Sequence, residues 1–382
     1  MLRRIAYVLA ALAVGIAAIA AWKHEDITRL MAVNSLFAED RIVSNFSHMD
    51  TLFHSVPMPM DAKPTPLPEG AQMDLPEGWE DWLQRRAITG IVVLKRGQRV
   101  HESYHLGTGQ EDERISWSMA KSYLSGLFGI LVAEGHVDNI DRQVTDYVPS
   151  LKGSAYDGAT IRNVLQMSSG VSFDEDYLDF WSDINKMGRV LALGGSMDAF
   201  AANLDERERE PGVEWQYVSI DTHVLGMVAR AATGRSLPDL LAEKILRPLG
   251  TYGTPYYLSD GYGVAFALGG LNLTTRDYAR MGEMFRNDGA FLGRQIVPAA
   301  WVRESTQPSA RTAPGKLQYG YQWWIPADGH DGEFMARGVY GQYVYVVRQS
   351  GTVVAINAAD RNFREAGAFD DALNMMRLIA GK

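Results

Sequence analysis

The chain has 382 residues, 46% of them hydrophobic and 22% charged, with a formal net charge of −9 and no cysteine. Such a composition belongs to a folded globular protein long enough for roughly two to three domains. The acidic balance, with no long basic run, argues against a nucleic-acid partner, and the missing cysteine excludes disulfides, thiolate catalysis and zinc–cysteine centres.

The N-terminus begins Met1-Leu-Arg-Arg and continues into an uncharged apolar run, 5–22. At 1.5 Å per residue this run is about 27 Å long as a helix, the thickness of a bilayer core. It exceeds the apolar region of a cleaved signal, about 7–15 residues, although Ala18-Ile19-Ala20 fits a small-residue cleavage site. The expectation is an N-terminal transmembrane helix, with membrane contact through 5–22. Arg3 and Arg4 orient its N-terminus to the cytoplasm, so the rest of the chain is expected in the periplasm or outside, held at the inner membrane. Secretion after cleavage is the alternative. Residues 23–78 are expected to form a linker and N-terminal extension. Its Pro-rich part, 57–76, carries Pro57, Pro59, Pro64, Pro66, Pro68 and Pro76, a spacing that favours an extended, semi-rigid tether.

Residues 79–382 read as one globular unit with a helical insert at about 136–265. A short amphipathic helix at 79–86 precedes Ile91-Val-Val-Leu-Lys95 and Arg99-Val-His-Glu-Ser-Tyr104, two strands flanking Arg96-Gly97-Gln98 as a hairpin. The stretch 115–135 reads as a helix starting near Ser116 or Trp117 and stopping at Gly135. Leu124, Leu127, Phe128, Leu131 and Val132 have helical spacing, and the remaining faces are uncharged, so it should be buried. Further helices are expected at 161–167, 196–204, 219–233, 237–246, 275–287 and 368–380, and an acidic, aromatic loop at 171–187. Strands return at 321–325, 334–337, 343–348 and 352–357. With strands at both ends and helices between, the architecture is α+β: one antiparallel sheet built from both ends, covered by the first and last helices, with a helical subdomain inserted.

Within that frame, Ser118 and Lys121 share one face at the start of the buried helix. A serine becomes nucleophilic when a base takes its proton, and a partly desolvated lysine can be that base. A capping serine beside a surface lysine is the plain alternative. Tyr217 and Ser219 lie two apart in an extended segment and can point the same way. A cation such as Lys121 beside a tyrosine eases loss of its proton, while a core tyrosine with a buried hydrogen bond is the structural alternative. Gly338-Val-Tyr-Gly-Gln342 precedes an apolar strand; a glycine there lets backbone approach a ligand, and an edge N–H could bind an oxyanion. His101-Glu-Ser-Tyr-His105 matches the H-E-x-x-H zinc pattern literally, but on a strand positions four apart stand about 13 Å from each other, too far to share a metal.

The order Ser118-x-x-Lys121, Tyr217-x-Ser219 and a glycine-containing late strand resembles the serine hydrolases related to class C β-lactamases. Leu165-Gln-Met-Ser-Ser-Gly170, Gly269-Gly-Leu271 and the sheet–insert–sheet order support it over roughly 80–380. Within that group the chain is most similar to 6-aminohexanoate-dimer (nylon-oligomer) hydrolases and their esterase relatives. The resemblance implies a β-lactamase/penicillin-binding-protein-like fold and cleavage of a small-molecule ester or linear amide through an acyl-enzyme on Ser118, with Lys121 and Tyr217 sharing the proton and no cofactor or metal. It places oxyanion donors at Ser118 and Val339, and substrate contacts at Tyr177 and Trp181, with Ser219, Asn272, Gly338 and Tyr340 as further candidates. The third motif falls on Ala336-Arg337-Gly338 rather than Lys-Thr-Gly, removing the usual clamp for a β-lactam or D-Ala carboxylate. A penicillin-binding-type D,D-peptidase or β-lactamase is the alternative enzyme, and a non-catalytic, membrane-tethered binding module the alternative of another class. Oligomeric state is not legible in the sequence.

Overall fold

The computed structural model describes residues 2–58, 60, 63–251, 253–329 and 332–381; Pro59, within the Pro-rich run, lies outside the described residues. The β-branched and aromatic runs near the two ends of the main unit are apolar on both faces, so their strands must be covered on both sides. They form one seven-stranded antiparallel sheet. Its spatial order is Gln98–Tyr104, Ile88–Lys95, Thr352–Ala358, Gln342–Val347, Glu333–Gly338, Trp324–Pro326 and Leu317–Tyr319. The ends of the chain meet at its centre, where Val93 faces Val354 and Ile91 faces Ile356.

Alternation along the strands sorts the two cores. Ile91, Val93, Tyr345, Val354 and Ile356 face the helices Trp79–Arg85 and Ala368–Ala380. Val92, Leu94, Val344, Val346 and Val353 face the other way, into the core shared with the helices Thr275–Arg286 and Ala120–Ala133. The expected first and last helices thus cover one face, and Thr275–Arg286 covers the other. Its contact is close because Gly282 has no side chain: a Cβ there would stand 2.5 Å from Val353 Cγ1 and 2.7 Å from Val344 Cγ1.

The buried helix is present as a 3₁₀ turn, Trp117–Met119, running into Ala120–Ala133, with Gly135 at φ 77° just past its end. Every residue from Ala120 to Leu131 is buried. Insert helices pack around it, notably Ser219–Thr233 and Leu237–Leu241. A small sheet in the order Ser55–Pro57, Tyr256–Leu258, Leu271–Leu273, Arg114–Ile115 ties the chain before the helix to the insert.

The N-terminal expectations change. Leu2–Trp22 is a helix, but among the described residues no helix is long and apolar enough to cross a membrane. The expected anchor therefore has no structural support. Nor is all of 23–78 a tether. Leu36, Ile42, Phe46, Met49 and Met58 are buried in the main core, because this stretch carries enough apolar surface to pack. The Pro-rich part is extended, as expected, but lies along the sheet edge: Gly70 and Met73 donate backbone hydrogen bonds to Arg99 and Val100 (2.9 and 3.0 Å), covering an edge that would otherwise be open. His101 lies on the strand Gln98–Tyr104 with His105 just beyond it, both rings reaching the Ser103 hydroxyl (3.0 and 2.9 Å), while Glu102 binds Arg276. Part of the 171–187 loop is helix, Asp183–Ala192, capped by Ser182.

The Gly282 packing yields a test. Alanine normally stabilises an exposed helix relative to glycine by about 0.5–1 kcal/mol. Gly282→Ala is expected to reverse that sign and cost about 1–3 kcal/mol through overpacking, read as a lowered midpoint in urea unfolding; a raised midpoint would refute the contact.

Candidate active site

The strand Arg114–Ile115 is fastened to Leu271–Leu273, and Ser116 N donates to Leu271 O at 2.8 Å. The chain then turns through Trp117, a non-glycine residue at φ 43°, and presents half-buried Ser118 at the head of the helix. One helical turn on, Lys121 is 1% exposed. Its Nζ donates to Ser118 Oγ at 3.0 Å and to Leu268 O at 2.9 Å. Burial lowers its pKa from 10.5 to about 7, with the charges of Glu175 and Asp221 pulling the other way. Near neutrality a large fraction of the amine is therefore unprotonated, and the 3.0 Å contact can then run from the serine hydroxyl to the nitrogen.

Tyr217 arrives just before the helix Ser219–Thr233, with its ring 5.3 Å from Lys121 Nζ and stacked on Trp324 at 5.2 Å. Its pKa is raised, not lowered as expected beside a cation. Burial is the main cause and Glu175 adds to it, against hydrogen bonding with Ser118 and Ser219 and the charge of Arg337. At neutral pH it is a phenol, and the group able to accept the serine proton is Lys121.

Two carboxyls that the sequence does not single out stand here, Glu175, half-buried, and Asp221, fully buried. Glu175 Oε2 accepts from Tyr177 OH at 3.1 Å, and Oε1 from Ser219 N; burial raises its pKa. The loop 173–178 alternates, with Phe173, Glu175 and Tyr177 turned inward and Asp174, Asp176 and Leu178 exposed. Counting by twos from Phe173 would have found Glu175 among its acidic neighbours. Asp221, one turn into its helix and fully buried, accepts from Tyr156 OH at 2.8 Å. Burial raises its pKa to about 7.

The strand Glu333–Gly338 closes the other side. A Cβ on Gly338 would stand 2.7 Å from Ser116 O and 3.2 Å from Ser118 N, so only glycine lets this strand lie against the turn that carries Ser118. It approaches the turn itself, where the sequence suggested a ligand. A cleft of about 230 Å³ is lined by Ser118, Glu175, Tyr177, Tyr217, Trp324, Arg337, Gly338, Val339, Tyr343, Phe363 and Arg364.

Of the expected site residues, Ser118, Tyr217, Tyr177, Gly338 and Val339 line that cleft, with Lys121 beneath it. Four do not. Trp181 is 70% exposed and packs edge-on to Phe180. Ser219 is buried behind Glu175. Asn272 is buried in its strand, its Nδ2 donating to Gly270 O at 2.9 Å. Tyr340 is turned away into an aromatic cluster. The cleft also gains Arg337, whose guanidinium lies 4.4 Å from the Phe369 ring, so the absent motif lysine does not leave the site without a cation.

Comparison with known proteins agrees with this architecture. The chain belongs to the Beta-lactamase family, whose model matches residues 80–375. Over 309 residues it is 28% identical to the 6-aminohexanoate-dimer hydrolase of Paenarthrobacter ureafaciens, covering 77% of this chain and 76% of that protein. It is 26% identical to penicillin-binding protein 4 of Amycolatopsis lactamdurans over 296 residues, 66% of this chain and 74% of that one. A solved Bacillus anthracis structure, provisionally named a 6-aminohexanoate-dimer hydrolase, superposes with a TM-score of 0.81 at 22% identity, covering 90% of this chain and 95% of that one.

The electrostatics of Lys121 can be measured without any substrate. Carbon-13 NMR titration of labelled lysine is expected to show Lys121 deprotonating near pH 7. Glu175→Gln is expected to move the midpoint lower, because the carboxylate favours the ammonium. A midpoint near 10.5 would contradict the burial of the amine.

Proposed function

We propose that the protein is a serine hydrolase that cleaves an ester or linear amide through an acyl-enzyme on Ser118. The observation that carries this reading is the 3.0 Å contact between Ser118 Oγ and the buried amine of Lys121, which has no ion-pair partner among the described residues, at the floor of a cleft. The likeness to a 6-aminohexanoate-dimer hydrolase brings linear amides into the substrate range.

In this mechanism Ser118 Oγ bonds to the substrate carbonyl carbon as its proton passes to neutral Lys121. The carbonyl oxygen takes the electron pair and is held by the N–H groups of Ser118 and Val339. When the tetrahedral species collapses, the leaving alcohol or amine takes a proton from Lys121, relayed by the Tyr217 phenol beside it. Water then attacks the acyl carbonyl, gives its proton along the same path and frees Ser118. Glu175 and Asp221 stabilise the lysine's charged form and so set how readily it accepts the proton.

A second reading, a β-lactamase or D,D-peptidase, draws support from Arg337, a cation in the cleft that could hold a substrate carboxylate. Intact-protein mass spectrometry after mixing with p-nitrophenyl esters, linear amides and benzylpenicillin separates the two by which acyl group accumulates.

Ser118→Ala is expected to lower turnover by about 10³-fold or more and abolish the acyl adduct; retention of either rejects Ser118 as nucleophile. The kcat/KM profile is expected to rise through about pH 7, since Lys121 must be neutral to accept the proton; a flat profile from pH 5 to 9 would remove Lys121 as the base. Arg337→Ala is expected to raise KM for an ester bearing a terminal carboxylate about tenfold or more relative to its neutral methyl ester; equal effects on both would show that Arg337 holds no anion.

A further inference from the structure

Two non-glycine residues with left-handed backbone bracket the proposed oxyanion donors. Trp117, at φ 43°, immediately precedes Ser118, and Tyr340, at φ 59°, immediately follows Val339. Bulky side chains avoid this conformation, and it persists only where the surroundings over-determine it. The Trp117 torsions orient the peptide plane that carries the Ser118 N–H. Tyr340 and Gly341 (φ 83°) are consecutive left-handed residues of the three-residue hairpin loop, begun by Val339, that joins Glu333–Gly338 to Gln342–Val347.

Both side chains end in one aromatic cluster supplied from the N-terminal segment. Phe37 stacks on Tyr340 with ring centres 4.6 Å apart and planes 14° from parallel, and lies 5.8 Å from Trp117. Phe46, fully buried, meets Trp117 and Tyr340 edge-on, 5.6 Å from each. The segment bearing them is fastened beside the nucleophile, since Arg114 Nη1 donates to Val43 O at 2.8 Å and to Ser47 Oγ. None of these aromatic rings lines the cleft, although Phe363, tilted against Tyr340 with ring centres 4.7 Å apart, does.

We propose that Phe37 and Phe46 are positioning residues for hydrolysis. By clamping Trp117 and Tyr340 together, they hold two otherwise unfavourable backbone conformations and so bring the Ser118 and Val339 N–H groups to bear on one oxygen. The inference rests on the acyl-enzyme reading, in which those two donors act as a pair. It makes the segment 36–47, outside the residues matched by the family model, part of this chain's catalytic apparatus.

The test compares the full-length protein with Phe37→Ala, Phe37→Tyr, Phe46→Leu and, as a control in the core on the opposite face of the sheet, Ile379→Ala. Each is assayed well below its own melting temperature for kcat and KM on p-nitrophenyl acetate and for inhibition by a phenylboronic acid, whose adduct with serine mimics the tetrahedral species. Loss of well-placed oxyanion donors is expected to lower kcat about tenfold or more in Phe37→Ala and Phe46→Leu. KM should stay within about twofold, the boronate affinity should fall in proportion, and Phe37→Tyr, which keeps the stacked ring, should restore both. Ile379→Ala should lose melting temperature and keep kcat. Unchanged kcat or boronate affinity in both phenylalanine variants overturns the proposal, and so does an equal loss in Ile379→Ala, which would make the effect one of general stability. Failure of the acyl-enzyme reading would look different: wild-type activity surviving Ser118→Ala.

Discussion

The arrangement on which the rest depends is an amine buried without an ion-pair partner among the described residues. Lys121 is held by a serine hydroxyl and one carbonyl oxygen, and the nearby carboxyls influence it without an ion pair to it among the described residues. Keeping that amine from water lowers its pKa from 10.5 to about 7. Between those values the unfolded chain binds the extra proton and the folded chain does not, so folding stability rises with pH across that window. At neutral pH the site is thus a net burden on the fold. The surrounding apolar helix and the two cores of the sheet must offset it, which agrees with the near-total burial of Ala120–Ala133.

Geometry around that lysine follows from the sheet. Because the first and last strands of the domain pair at the centre, the late strand Glu333–Gly338 is carried to the head of the buried helix, and Gly338 lets the two backbones touch. The insert supplies the opposite wall: Tyr217 from the start of Ser219–Thr233, and Glu175 and Tyr177 from an alternating loop. Each wall comes from a different part of the chain, so the cleft exists only when sheet and insert are both formed.

Much of this was legible in the sequence where periodicity is strong. The buried helix, Ser219–Thr233, Thr275–Arg286 and the late strands follow directly from apolar spacing. Ser118, Lys121 and Tyr217 stood out because their chemistry is unusual at such spacing. Elements of two or three residues, such as Arg114–Ile115 and Leu271–Leu273, carry no periodic signal and were not visible. Trp181 and Asn272 misled because an aromatic in a loop and an amide beside a glycine pair look the same whether they face a ligand, solvent or the core. Asp221 escaped because burial of a carboxyl is a tertiary property. The raised pKa of Tyr217 is of the same kind: a neighbouring cation can be inferred from sequence, but desolvation that outweighs it cannot.

The pairing of Ile88–Lys95 with Thr352–Ala358 has a consequence for how the molecule is made. During synthesis the early hairpin emerges long before its central partner, and its inner edge, rich in Val and Ile, has nothing to pair with until almost the whole chain is complete. So non-local a sheet forms late and slowly. The nascent protein must therefore pass most of its synthesis with that edge unpaired. Truncation that removes Thr352–Ala358 would leave the centre of the sheet unfilled.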